Sequence, residues 1–268
     1  MNMDNRFQRT GLLLGDEAFA RLQNSHVAVF GLGGVGSYAA EGIARAGVGR
    51  MTILDFDRVN PTNINRQNIA FSDTVGRDKV EVMRERIAQI NPECVVNGHN
   101  EFFSAENSGR FLNQGFDAIV DAIDSFDSKI HLLVECCRLG IPVFSAMGAG
   151  GKLDPSQIRV GDLSESTICP LARRVRKILR GHGIESGFKV VYSLEPPVTA
   201  FSHTIIPAAQ KELPTANARE RRIQGTISYL PAIFGLTLAG MVVQHLTGFS
   251  TARETPAGRE MLKDENNH

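Results

Sequence analysis

A glycine-rich turn, two acids, an asparagine and two cations carry most of the chemistry this chain offers. Gly31, Gly33, Gly34 and Gly36 lie in GLGGVG, directly after the apolar run Val27–Phe30. Asp55 ends a second apolar run, Met51–Leu54, and Asn63 and Arg66 stand in the polar stretch that follows. Lys79 opens the amphipathic pattern that runs to Ile90, and Asp124 comes just after the apolar stretch Asp117–Asp121. Residues without a Cβ let backbone N–H groups approach a phosphate closely. A helix N-terminus behind such a turn adds about half a positive charge. An acid at the end of the second strand is spaced to meet ribose hydroxyls. One acid for ribose, two cations for phosphates and one acid for a magnesium ion describe a nucleoside triphosphate site. No lysine follows the glycines as a P-loop requires, so a Walker-type cradle is excluded. Arg66 and Lys79 together exceed what a dinucleotide needs, which argues against a nicotinamide oxidoreductase.

These residues need a scaffold that gathers strand ends. The apolar runs Val27–Phe30, Met51–Leu54, Cys94–Gly98, Asp117–Asp121 and Pro142–Ala146 read as buried strands. Helical patterns lie between them at Ser37–Ala46, Gly76–Ile90, Ala105–Asn113 and Ser128–Leu139. The alternation predicts an α/β fold: a doubly wound, mostly parallel Rossmann-like sheet with right-handed crossovers. Ligands then gather at the carboxyl ends of the strands, where all the residues above fall.

The pattern changes after Gly148–Gly151. Strands are expected at Gln157–Val160 and Lys189–Leu194, a basic helix at Pro170–Arg180 and an apolar closing helix at Thr226–Gly248. The expected organisation is a nucleotide-binding core over residues 1–150 and a C-terminal extension of the same domain over 151–250. The extension holds the basic helix, antiparallel strands and the apolar helix, and a flexible tail follows over 251–268. Phe201–Gln224 has little periodicity and reads as a long mobile connection crossing the site.

The totals exclude several classes. Lys plus Arg equal Asp plus Glu at 29 each, so no global field recruits nucleic acid and any basic surface is local. Cys94, Cys136, Cys137 and Cys169 form no C-x-x-C pair, which argues against a zinc ribbon. They read as reduced thiols of a cytoplasmic protein. The N-terminal MNMDNRFQRTG lacks the apolar core of a secretory signal. Thr226–Gly248 contains no Asp, Glu, Lys or Arg, but Pro231, Gly235 and Gly240 interrupt it and no basic cluster flanks it. It reads as a helix packed into the core or on a partner, with membrane-surface contact as the lesser alternative.

The motifs, taken together, resemble those of the ubiquitin-activating superfamily, in its bacterial ThiF/MoeB/HesA group. The matching pieces are RFQR at Arg6–Arg9, GLGGVGS at Gly31–Ser37, LDFD at Leu54–Asp57 and NINRQ at Asn63–Gln67. GRDKV at Gly76–Val80, INP at Ile90–Pro92 and DAIDS at Asp121–Ser125 continue the series in the family's order. The resemblance implies that ATP binds at the glycine turn, with Asp55 on the ribose and Asn63, Arg66 and Lys79 on the phosphates. It implies that Asp124 holds Mg²⁺ and that Arg9 is a finger reaching the phosphates of the other subunit in a homodimer. The implied reaction is attack of a carboxylate on the α-phosphorus of ATP. Positioning and charge suffice for that step without a protein nucleophile.

Two branches of the family differ in the carboxylate. One adenylates the C-terminal glycine of a ubiquitin-like sulfur carrier, and many of its members carry paired C-x-x-C motifs that this chain lacks. The other acts on threonylcarbamoyladenosine in tRNA and closes a ring with net loss of water. INPEC at Ile90–Cys94, GAGGKLDP at Gly148–Pro155 and DL at Asp162–Leu163 resemble the second branch. Arg173, Arg174, Arg176, Lys177 and Arg180 on the basic helix then become candidates for tRNA phosphates, with Arg219, Arg221 and Arg222 in support. Cys169 precedes Pro170 at a helix start and reads as a packed thiol. A thiol that takes over an acyl group or works with a sulfur-relay partner is the alternative. A noncatalytic nucleotide-binding scaffold stands as the reading from another class.

Overall fold

The computed structural model describes residues 5–198 and 225–249. The chain opens with α1 (Gln8–Leu14) and α2 (Asp16–Asn24), then enters β1 (His26–Phe30), α3 (Gly36–Ala46) and β2 (Arg50–Leu54). α4 (Lys79–Ile90), β3 (Val95–His99), α5 (Ser108–Leu112), β4 (Ala118–Asp121), α6 (Phe126–Leu139) and β5 (Val143–Ala146) follow. β6 (Ile158–Asp162), α7 (Pro170–Gly181), β7 (Lys189–Ser193) and α8 (Tyr229–Thr247) complete the described elements.

The seven strands form one sheet in the order β3-β2-β1-β4-β5-β7-β6. β1 is paired in parallel with β2 on one side and β4 on the other. The chain winds outward from β1 through β2 and β3, then returns to wind the other way from β4. The topological switch point therefore lies between β1 and β4, where a crevice opens at the carboxyl ends. β1 is buried along its whole length because helices cover both faces. Val27 and Val29 enter the layer made with α2, α3, α4 and α8. Ala28 and Phe30 enter the opposite layer, made with α5, α6 and α7.

The strands expected to be antiparallel in the extension behave differently from each other. β6 is antiparallel to β7, but β7 runs parallel to β5 and continues the main sheet. After β6 the chain climbs back to the carboxyl edge, descends through α7 and enters β7 from below, so β7 takes the common direction. The extension is thus built into the same sheet as the core.

α8, the apolar stretch, packs one face into the protein. It is the one helix among the described residues long and apolar enough to cross a membrane, and half of its apolar window is buried within the protein. Its buried face lies on α3 at close range. A Cβ on Gly235 would come within 2.3 Å of the Val35 carbonyl oxygen, and one on Gly42 within 2.8 Å of Ala239 Cβ. Leu230, Phe234, Leu238 and Val242 fill the same layer. The segments Phe201–Gln224 and Thr251–His268, with Arg219, Arg221 and Arg222, lie outside the described residues.

Candidate active site

The crevice at the switch point is lined by the glycine turn, the end of β2, the start of α4 and the β4–α6 loop. The turn has little room for side chains. Gly31 has φ +89°, and a Cβ there would sit 2.7 Å from the Ala122 carbonyl oxygen. A Cβ on Gly36 would strike the Gly31 carbonyl oxygen at 1.7 Å, so α3 starts directly against the turn. Gly33 faces open space with no protein atom within 4 Å of its Cβ position. That leaves backbone and helix terminus accessible to an anion.

Asp55 is buried at the end of β2 and tied to the turn. Its Oδ2 accepts the Leu32 N–H at 2.6 Å and its Oδ1 accepts the Asp57 N–H at 2.9 Å. Each carboxylate oxygen has two lone pairs, so acceptor capacity remains for hydroxyls of a ligand. Burial pushes the Asp55 carboxyl above its ordinary range, against the pull of Lys79 and the two backbone N–H groups. Lys79 Nζ lies 2.8 Å from Asp57 Oδ2 and 3.7 Å from Asp55 Oδ1, with only 5% of its side chain exposed. Lys79 thus stands in the crevice lining as a desolvated cation held between two carboxylates. Asp124 is exposed on the loop after β4 and lines the same crevice.

The structure gathers Gly31, Gly33, Asp55, Lys79 and Asp124 around one space. Asn63, Arg66, Gly34, Gly36 and Arg9 lie outside its lining. Asn63 is buried, and its Oδ1 accepts the Asn60 N–H at 3.0 Å as half of a capping box on the turn Pro61–Asn63. The Arg66 stem lies over the turn, 3.2 Å from where a Gly34 Cβ would be. Its guanidinium donates to the Thr62 carbonyl at 2.7 Å and to Asn65 Oδ1 at 3.0 Å. Arg9 is exposed on α1.

Two features are given no role by the sequence motifs, although Phe56 lies within LDFD and Asp121 within DAIDS. Phe56 and Phe102 line the crevice as an edge-to-face pair with centroids 5.1 Å apart, and they are 41% and 44% exposed. Large aromatic faces left open beside a polar cleft suit a flat ring. Beneath the β4–α6 loop, Lys129, Asp121 and Ser145 form a buried polar cluster.

Comparison with known proteins fits this geometry. The pattern of the ThiF family matches residues 7–266. The chain belongs to the ThiF family. This ThiF-family chain is 41% identical over 247 residues to the tRNA threonylcarbamoyladenosine dehydratase of Bacillus subtilis, covering 91% of this chain and 95% of that one. It superposes with a TM-score of 0.80 on a crystal structure of the Escherichia coli tRNA N6-threonylcarbamoyladenosine dehydratase in complex with AMP. The identity there is 36%, with 91% of this chain and 94% of that chain covered. A crystal structure of the E. coli enzyme in complex with ATP gives a TM-score of 0.78 at 35% identity, with the same coverage.

The cysteines of this ThiF-family member are unpaired, and Cys136 and Cys169 are buried. Burial pushes the Cys94 thiol up to about 11 and raises Cys136 and Cys137 as well, which keeps these thiols protonated and unreactive. Cys169 is 1% exposed, so it sits as a packed thiol at the head of α7. The described residues contain no group of three or more His, Cys, Asp or Glu arranged to hold a metal ion. A magnesium ion needs only one or two carboxylates when phosphates and water supply its other ligands. Exposed Asp124, facing the crevice, meets that requirement.

Proposed function

We propose that this chain is an ATP-dependent tRNA threonylcarbamoyladenosine dehydratase working in the cytoplasm. The observation that carries the reading is similarity along nearly the whole of both chains to a relative of that name. The crevice supports it by offering acceptors for ribose, a buried cation for phosphates and, among the described residues, no nucleophile–base pair.

Asp55 holds the ribose hydroxyls of ATP, and the purine lies in the crevice against the open faces of Phe56 and Phe102. The glycine turn and the start of α3 receive phosphate oxygens, while Lys79 and Arg66 stabilise charge as pyrophosphate leaves. Asn63 braces the loop that carries Arg66. A threonine carboxylate oxygen attacks the α-phosphorus and the bond to pyrophosphate breaks. The neighbouring carbamoyl group then attacks the acyl carbon and gives up its N–H proton, and AMP departs with the carboxylate oxygen. Ring closure plus that departure equals loss of water. Asp124 would hold Mg²⁺, which when bound neutralises phosphate charge.

The working unit is a homodimer with Arg9 reaching the partner's phosphates. Leu12 and Leu13, three and four residues beyond Arg9 on α1, are 78% and 77% exposed and give that helix an apolar face for a second copy.

Purified protein incubated with ATP and threonylcarbamoyl-tRNA should release AMP and pyrophosphate and yield a nucleoside lighter by one water. Release that depends instead on a protein ending in Gly-Gly would assign the chain to sulfur-carrier activation. Release with neither would leave a nucleotide-binding scaffold.

A further inference from the structure

Helix α7 divides its five cations into two sets. Arg174 lies over the Phe126 ring with its guanidinium carbon 3.6 Å from the centroid. Arg176 donates to the Leu163 carbonyl at 3.4 Å and to both the carbonyl and the hydroxyl of Ser166. These two fasten the helix to α6 and to the turn after β6. Arg173, Lys177 and Arg180 are exposed, and among the described residues none of their side chains makes an ion pair or hydrogen bond. They stand at i, i+4 and i+7, on one face of the helix. The opposite face carries Ala172, Val175 and Leu179 into the core. No Asp or Glu occurs within α7 to offset the charge.

The helix is also oriented with respect to the crevice. Its head, Cys169, has Sγ 3.6 Å from the Cβ position of Gly148, just past the carboxyl end of β5. Arg174 stacks on the first residue of α6, two positions after Asp124. The row Arg173, Lys177, Arg180 therefore starts beside the mouth of the crevice. It runs down the outer face for about 10 Å, at 1.5 Å of rise per residue.

We infer that Arg173, Lys177 and Arg180 form the track for the tRNA backbone, with Arg174 and Arg176 only anchoring the helix that bears it. The inference rests on the proposed tRNA substrate. A nucleotide whose side group reaches Asp124 must bring its flanking phosphates past the mouth. Three uncompensated cations in a row on a chain with no net charge supply the local field this requires. An acidic protein segment would be attracted by the same charges, but nothing in the reaction brings one to that mouth.

The test measures binding of threonylcarbamoyl-tRNA across a salt series. It compares the wild type, the triple variant Arg173→Gln/Lys177→Gln/Arg180→Gln, and Arg174→Gln. Each phosphate contact contributes about 0.7–0.9 to the slope of log affinity against log salt. The triple variant should lower that slope by about 2 to 3. It should raise KM for tRNA while leaving AMP affinity and turnover at saturating tRNA near wild type. Arg174→Gln should lower the melting temperature and leave the slope unchanged. An unchanged slope in the triple variant, with AMP affinity intact, overturns the track alone. Loss of poly-glutamate binding with unchanged tRNA binding also overturns it and assigns the row to an acidic protein. A wild type that fails to bind tRNA at any salt overturns the track together with the substrate reading.

Discussion

Lys129 Nζ lies 2.5 Å from Asp121 Oδ2, and both side chains are withdrawn from solvent. The same carboxylate oxygen accepts the Ser145 hydroxyl at 2.6 Å, and the other oxygen accepts the Ile123 N–H at 3.1 Å. Asp121 thus ends β4 and, through the Ile123 N–H, pins the loop that carries Asp124 three residues later. Lysine supplies the countercharge that lets a carboxylate do this in the interior. Removing one partner of a buried pair leaves an unpaired charge and costs about 3–5 kcal/mol. Lys129→Met should lower unfolding free energy by that amount in urea titrations. Asp121→Asn added to it should recover much of the loss, because Asn still accepts the Ile123 N–H without a charge. A double variant no more stable than the single one would show that the pair is not the source of the loss.

Asp55 gives a pH dependence of defined sign. Burial raises its folded carboxyl pKa. A raised folded pKa means that this group's contribution to stability is present below the unfolded value and lost as pH rises through the folded one. Nucleotide affinity moves the other way, because a protonated Asp55 gives up an acceptor that the ribose needs. Affinity for AMP should therefore decline on acidification at a pH above the ~3.9 of an ordinary aspartate. Calorimetry of wild type and Asp55→Asn checks this. The variant should bind more weakly at neutral pH and lack the acidic decline.

The sequence and the structure agree most closely where a signal is local. Gly31, Gly33, Asp55 and Lys79 are legible because strand, turn, helix and acid follow one another at fixed spacing. The Lys129–Asp121 pair is not, since a lysine in an amphipathic helix ordinarily points to solvent and only tertiary packing turns this one inward. Phe102 sits in an irregular segment after β3, where no periodicity marks a side chain as pocket-lining. The direction of β7 was equally hidden. A run such as KVVYS carries β propensity but no sense of direction, and that is set by the path of α7. The role of Asn63 lay between motif and geometry. NPTN at Asn60–Asn63 encodes a capping box in which the Asn63 Oδ1 accepts the Asn60 N–H, and the Nδ2 amide, the end that can donate to a phosphate, takes no part in that bond.

Phe102 offers a test of the purine site. Its ring is exposed at the crevice and packs edge-on to Phe56, not into the core. Removing it should leave stability within the range usual for surface changes, about ±0.5 kcal/mol. Base–aromatic stacking is worth about 1–3 kcal/mol. Phe102→Ala should therefore raise KM for ATP by roughly 5- to 150-fold, with turnover at saturating ATP little changed. Unchanged KM would place the purine elsewhere in the crevice.

Arg9 and Arg66 test whether the site is shared between subunits. Arg9 is exposed on α1 and absent from the crevice of its own chain, while the Arg66 stem packs on the glycine turn. If Arg9 serves the partner, each centre takes Arg9 from one chain and Arg66 from the other. Arg9→Ala and Arg66→Ala homodimers should each lose most adenylation, because each lacks a charge at both centres. In a mixed dimer, one centre draws intact Arg9 from the Arg66→Ala chain and intact Arg66 from the Arg9→Ala chain. The other centre lacks both. Random exchange of equal amounts makes half the dimers mixed, so about one quarter of wild-type activity should return. Pyrophosphate release measured after subunit exchange, with exchange verified by mass spectrometry of differently tagged chains, reads this directly. Activity that stays at the sum of the two parents despite complete exchange would mean that Arg9 acts within its own chain or not at all.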